Sequence, residues 1–198
     1  MRHAASKTLA LFALLLPFAA SAHTGVDGGM HHGFVTGFMH PLTGADHLAA
    51  MVAVGLWSAL GARRGLDLLW APLAFAGMLL VGALTGLAGV QLPAVEPMIA
   101  ASLLVLGLLV ATRIHLPAAG AAAVVGVFAI FHGVAHGHEL AGEQGAALTL
   151  AGMVGATVLL HLSGIAMGWV LRHANAWLPR VAGAAVVALG ATLLSQAV

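Results

Sequence analysis

Six apolar stretches follow one another along this chain with scarcely a charge inside them, and they are predicted near residues 33–60, 66–90, 95–112, 117–137, 145–171 and 178–197. A hydrocarbon layer about 30 Å thick is crossed by roughly 20 apolar residues of helix. Within that layer only helices or closed barrels satisfy every backbone group. The chain has 7 Lys or Arg and 6 Asp or Glu among 198 residues, whereas soluble domains are about 25% charged. A water-soluble fold built from it would have almost nothing to place on its surface. The expected fold is an all-α polytopic membrane helical bundle, with six transmembrane helices forming a single domain over residues 23–198. The lipid bilayer is its first partner. The 26 glycines suit close helix packing in lipid, where small residues let backbones approach. Cysteine is absent, which excludes thiolate metal sites and disulfides. No basic stripe points to nucleic acid.

Residues 1–22 read as a cleavable signal peptide. Arg2, His3 and Lys7 form a positive start, Leu9 to Ala20 is a short apolar run, and Ala20-Ser21-Ala22 is a small-x-small cleavage site. Cleavage leaves His23 at the mature N-terminus, where a free amine beside an imidazole can chelate a metal ion. Pro97, Pro117 and Pro179 fall at the predicted starts of helices three, four and six, where a missing N–H costs little. Arg63, Arg64, Arg113, Arg172 and Arg180 all fall in, or at the edge of, the loops after spans one, three and five, while Glu96, Glu139 and Glu143 belong to the other ends. By the positive-inside rule the Arg-bearing loops are cytoplasmic, so both mature termini are extracytoplasmic. Three helices per half permit an inverted repeat, although no convincing sequence match links the halves.

Chemistry is concentrated in two clusters drawn from 12 histidines. The first comprises His31, His32, His40, Asp46 and His47. An ionisable group well inside an apolar span is costly unless it is paired or reaches water. Imidazole and carboxylate together suit Ni, Co, Zn or Fe. His40 and His47 are seven residues apart, which a straight helix stretches over about 10.5 Å. Pro41 and Gly44 lie between them, and a break there would bring the two together. The second cluster is Phe131-His132-Gly133-Val134-Ala135-His136-Gly137-His138-Glu139. His132, His136 and Glu139 are expected on one helix face as a metal-binding edge. Both clusters fall towards the extracytoplasmic end and can meet, with Asp46 and His47 deeper as the next station inward. His161, in span five, is a further buried candidate or a partner for a neighbouring helix. His115 and His173 flank arginines and read as interfacial loop residues, His138 as solvated, and Asp67 as an exposed charge at a helix start.

At these residues the chain resembles the HupE/UreJ family of nickel permeases and hydrogenase or urease accessory proteins. The motifs that carry the likeness are His40-Pro-Leu-Thr-Gly-Ala-Asp46-His47 with the following Met51-x-x-Val54-Gly55, and Phe131-His132-Gly133-x-Ala135-His136-Gly137-x-Glu139. The mature start His23-Thr24-Gly25 and the signal peptide also match. The chain is similar as well to the broader nickel/cobalt transporters, whose related His/Asp/His motif has one residue fewer between His and Asp. The resemblance implies six transmembrane helices in the bacterial inner membrane and secondary uptake of Ni2+ or Co2+. It also implies a link to hydrogenase or urease maturation. It carries the ligand role onto His40, Asp46, His47, His132, His136 and Glu139, and by a looser match onto His161. His32 and His23 complete the candidate set.

The leading expectation is therefore a permease for a divalent transition metal, without a prosthetic group and without enzymatic activity. Metal binding needs neutral imidazoles, so uptake is expected to fall as pH drops below roughly 6.5. Transport of copper, zinc or iron, and a non-transporting metal sensor or accessory subunit, are the alternatives. A haem protein would use paired histidines, but acidic neighbours argue against it. A zinc hydrolase would be expected to show an HExxH motif, which the sequence lacks.

Overall fold

The structure is a computed structural model that describes residues 33–62, 65–173 and 175–197. The expected signal peptide, His23, His31 and His32, and Arg63 and Arg64 lie outside the described residues. All regular structure among the described residues is helical: α1 (Phe34–Thr43), α2 (Ala45–Gly61), α3 (Asp67–Leu87), α4 (Val95–Thr112), α5 (Ala118–Glu139), α6 (Ala146–Arg172) and α7 (Trp177–Ala197). The five helices α3 to α7 are long and apolar enough to cross a membrane. Their outward faces carry Leu73, Leu84, Val127, Leu162 and Trp169, all exposed. So continuous an apolar exterior suits lipid rather than water.

The stretch expected as the first span is divided. Gly44 adopts an extended conformation (φ −80°, ψ 116°) between α1 and the 17-residue α2. Pro41 lies inside α1 and lacks an N–H, so the last turn is already short of one helical bond. The Thr43 hydroxyl donates to the His40 carbonyl at 3.0 Å, occupying an acceptor at the helix end. The break falls at Gly44, one helical turn beyond the proline. It redirects the chain within a few residues and brings the His40 and His47 rings to 5.9 Å between centroids.

Helices pair through glycines. A Cβ on Gly133 of α5 would strike the Leu79 carbonyl of α3, and one on Gly82 would strike the Ile130 carbonyl. The contacts advance together along both helices, so α3 and α5 run parallel. The α2–α6 seam is likewise parallel, with Gly55 against the His161 carbonyl and Gly164 against the Val52 carbonyl. In contrast, α4 and α7 are antiparallel: Gly107 meets Gly183, and Gly190 meets Leu103. Each seam uses small residues for backbone approach, as helices in lipid do.

Cross-loop bonds mark the two ends. His115 Nδ1–H donates to the Gly61 carbonyl at 2.9 Å, and Arg172 donates to the Ala62 carbonyl at 3.2 Å. These bonds gather the loops after α2, α4 and α6 at one end, which carries Arg113, Arg172 and Arg180. At the other end His138 Nε2–H donates to the Val90 carbonyl at 2.9 Å. His138, expected to be solvated, is exposed as predicted and also ties the end of α5 to the loop after α3.

Candidate metal site

The redirected chain at Gly44 brings α1 and the start of α2 against the end of α5. There His40, His136 and Glu139 each offer one ligand atom, all within 4.8 Å of one another. Glu139 Oε2 lies 3.3 Å from His136 Nδ1 and 3.8 Å from His40 Nε2. The His40 and Glu139 side chains remain 30% and 43% exposed while that of His136 is 1% exposed. The triad therefore spans from solvent to interior within 4.8 Å.

His47 lies next, with its ring centroid 4.5 Å from that of His136 and 5.1 Å from that of His132. Asp46 sits in the first turn of α2, where the positive end of the helix dipole favours a carboxylate. Its Oδ1 accepts both the backbone N–H and the ring Nδ1–H of His47, each at 2.9 Å. With that proton on Nδ1, the lone pair is on Nε2. A carboxylate behind an imidazole is how ligating histidines are oriented and made more basic.

His132 is held by a partner absent from the sequence-based expectation, Ser102 of α4. The Ser102 hydroxyl donates to the Ile99 carbonyl at 2.6 Å. Its one proton is thereby used, so at 3.1 Å its oxygen accepts from His132 Nε2–H. The His132 lone pair is then on Nδ1. His161 Nδ1–H donates to the Met51 carbonyl at 2.8 Å, leaving its lone pair on Nε2.

His136 Nδ1–H donates to Glu139 Oε2 at 3.3 Å, leaving its lone pair on Nε2. His47 Nε2, His132 Nδ1, His136 Nε2 and His161 Nε2 are buried and have no hydrogen-bond partner. An unsatisfied buried nitrogen costs on the order of 1–3 kcal/mol, and the three gathered at His47, His132 and His136 call for a ligand. The available donors are imidazole nitrogen and carboxylate oxygen, a set that suits borderline divalent transition metals.

His132, His136 and Glu139 fall along one side of α5, as expected, but they do not form one ligand group. Glu139 and His136 form the ligand group with His40 from α1. His132 is about one helical turn, 5.4 Å, further along α5, where its neighbours are His47 and Ser102. His161 stands apart: the fully buried Phe75 lies between it and His132, with centroid distances of 5.3 Å and 5.6 Å. Met51 and Gly55, which the sequence presented only as parts of a motif, acquire roles as the acceptor for His161 and the contact point for α6. No side-chain property advertised Ser102 or Phe75. Asp67, expected as an exposed charge, is the first residue of α3 and is half-buried.

The family model described as HupE / UreJ protein matches residues 10–193. Protein HupE of Rhizobium leguminosarum bv. viciae is 44% identical over 191 residues, covering 94% of this chain and 96% of that protein. No solved structure matches. The motifs that meet in the histidine site lie within the matched region, and the chain belongs to the HupE/UreJ family.

Proposed function

We propose that this protein is a secondary permease for a divalent transition metal, Ni2+ foremost and Co2+ next. The observation that carries the reading is the ligand triad opening onto a row of buried imidazoles with unpartnered lone pairs. A hydrated ion would be captured by His40, Glu139 and His136 at the exposed end of the row. Each imidazole or carboxylate replaces a water, so dehydration proceeds by substitution rather than by bare entry into hydrocarbon. The ion would then pass to His47 Nε2, oriented by Asp46, and to His132 Nδ1, oriented by Ser102. His161, beyond the Phe75 ring, is the next nitrogen inward.

The same reading holds α1 and α2 to be one broken span, which makes six with α3 to α7. Helices broken at a binding site are a transporter device. It also holds residues 1–22 to be a cleaved signal peptide, residues 23–198 a single domain in the inner membrane, and both termini extracytoplasmic. His32 and His23 would then lie on the capture side. The parallel and antiparallel seams and the grouping of arginines at one end support alternating spans. No prosthetic group or enzymatic step is involved. The metal would serve a metalloenzyme maturation pathway, hydrogenase or urease.

The test is accumulation of radioactive nickel in cells. Asp46→Asn and His40→Ala are expected to abolish it while the protein still inserts. Normal accumulation by both variants rejects the permease. Metal binding in detergent without movement into liposomes would instead identify a sensor or accessory subunit.

A further inference from the structure

The molecule repeats itself upside down, and the repeat is written in backbone contacts rather than in residue identities. Gly55 meets His161 and Ile165; Gly133 meets Leu79 and Ala83. Gly164 meets Val52 as Gly82 meets Ile130. Gly168 meets Leu56 and Ala59 as Gly86 meets Val134 and Gly137. Gly55 to Gly133 is a step of 78 residues, and Val52 to Ile130, Leu56 to Val134 and Ala59 to Gly137 repeat it. Gly82 to Gly164 is a step of 82, repeated by Leu79 to His161, Ala83 to Ile165 and Gly86 to Gly168.

The third seam maps onto itself. Gly107 lies against the Val187 nitrogen and Gly183 against the Ala111 nitrogen, so a step of 76 exchanges the two sides. An operation that swaps two parallel seams and turns an antiparallel one onto itself is a two-fold axis across the helices. It relates the half containing α1 to α4 with the half containing α5 to α7.

The axis has a consequence for the histidine site. A step of 78 carries His136 to Ser58, Glu139 to Gly61 and His40 to Ala118. All three image positions line one small cleft at the Arg-bearing end, with Asp67 and His115 beside them. The cleft has a volume of about 20 Å3, room for one water or one bare ion. Its image positions carry no imidazole or carboxylate, and its ionisable lining groups are the half-buried Asp67 and His115. The His115 Nδ1–H is committed to the Gly61 carbonyl, which leaves Nε2 as the donor nitrogen.

We propose that this cleft is the inner counterpart of the metal site, the vestibule through which the ion leaves, with Asp67 and His115 as its ligands. The proposal rests on the permease reading and extends it to the opposite end. Two ligands hold an ion less tightly than a triad backed by buried imidazoles, and a release station must let go.

The chain has no cysteine, so Ile114→Cys places a single thiol at the exposed rim of the cleft, within reach of a reagent too large for its interior. A membrane-impermeant maleimide is expected to modify it from the Arg-bearing face only. Ni2+ is expected to slow the reaction about tenfold, and Asp67→Asn with His115→Ala to remove that protection. Modification from the opposite face, or a rate indifferent to Ni2+, overturns the proposal. Ala118→Trp fills the same cleft. It is expected to cut nickel uptake into proteoliposomes by about tenfold or more while nickel binding in detergent stays within about twofold. Unchanged uptake by a variant that binds nickel sinks the vestibule alone. A wild-type protein that binds no nickel in detergent sinks the permease reading itself.

Discussion

The two ends of the bundle are built on equivalent backbone contacts and filled with different chemistry. At one end the positions hold His40, His136 and Glu139; at the other they hold Ala118, Ser58 and Gly61. The scaffold is therefore indifferent to what it displays, and the difference in function resides in side chains that the seams do not need. Backbone approach sets where helices lie, whereas ionisable groups at the ends decide what they bind.

The sharpest way to break this comparison is at the seams. Gly133→Leu and Gly55→Leu each place a side chain against a carbonyl of the facing helix. Overpacking in a core costs about 1–3 kcal/mol, and a backbone carbonyl gives way less than a side chain. Both variants are expected to lose most folded protein in detergent, to a similar degree, as read by size-exclusion chromatography. Damage from one and none from the other would mean that the seams are not equivalent.

A smaller effect separates chemistry from scaffold. Asp46→Asn leaves the shape of the site but no longer anchors His47 as an anion. Loss of such an orienting partner costs about 10–100-fold in metal affinity. Isothermal titration with Ni2+ should show that loss with no change in thermal stability. The smallest expected effect is at Ser102. Ser102→Ala frees the His132 ring to turn, and about a tenfold loss of affinity should follow. An unchanged affinity would leave His132 outside the path.

Much of this was legible in the sequence, for identifiable reasons. An apolar stretch ended by Arg113 and Pro117, or by Arg172 and Pro179, marks a helix boundary locally, and the observed helices begin and end within a few residues of those marks. Ionisable groups in oil announce themselves, so His40, Asp46, His47, His136 and Glu139 stood out. Pro41 and Gly44 foretold a break, although only the structure puts it at Gly44. Long-range register was not legible. Ser102 is one hydroxyl among apolar neighbours until α4 is docked beside α5. The repeat stayed hidden because a backbone seam constrains glycine and little else: His161 of one seam occupies the place of Leu79 in the other. Asp67 looked like an exposed helix-start charge and His115 like a loop residue because the cleft they share forms only when α2, α3 and α5 converge.

The glycine seams also bear on motion. A joint where backbone lies on backbone has no rotamers to switch and no slack to take up, so α2 with α6 and α3 with α5 behave as two stiff struts. Any opening that lets an ion through has to swing a strut whole, or turn single rings such as Phe75 in the gap between them.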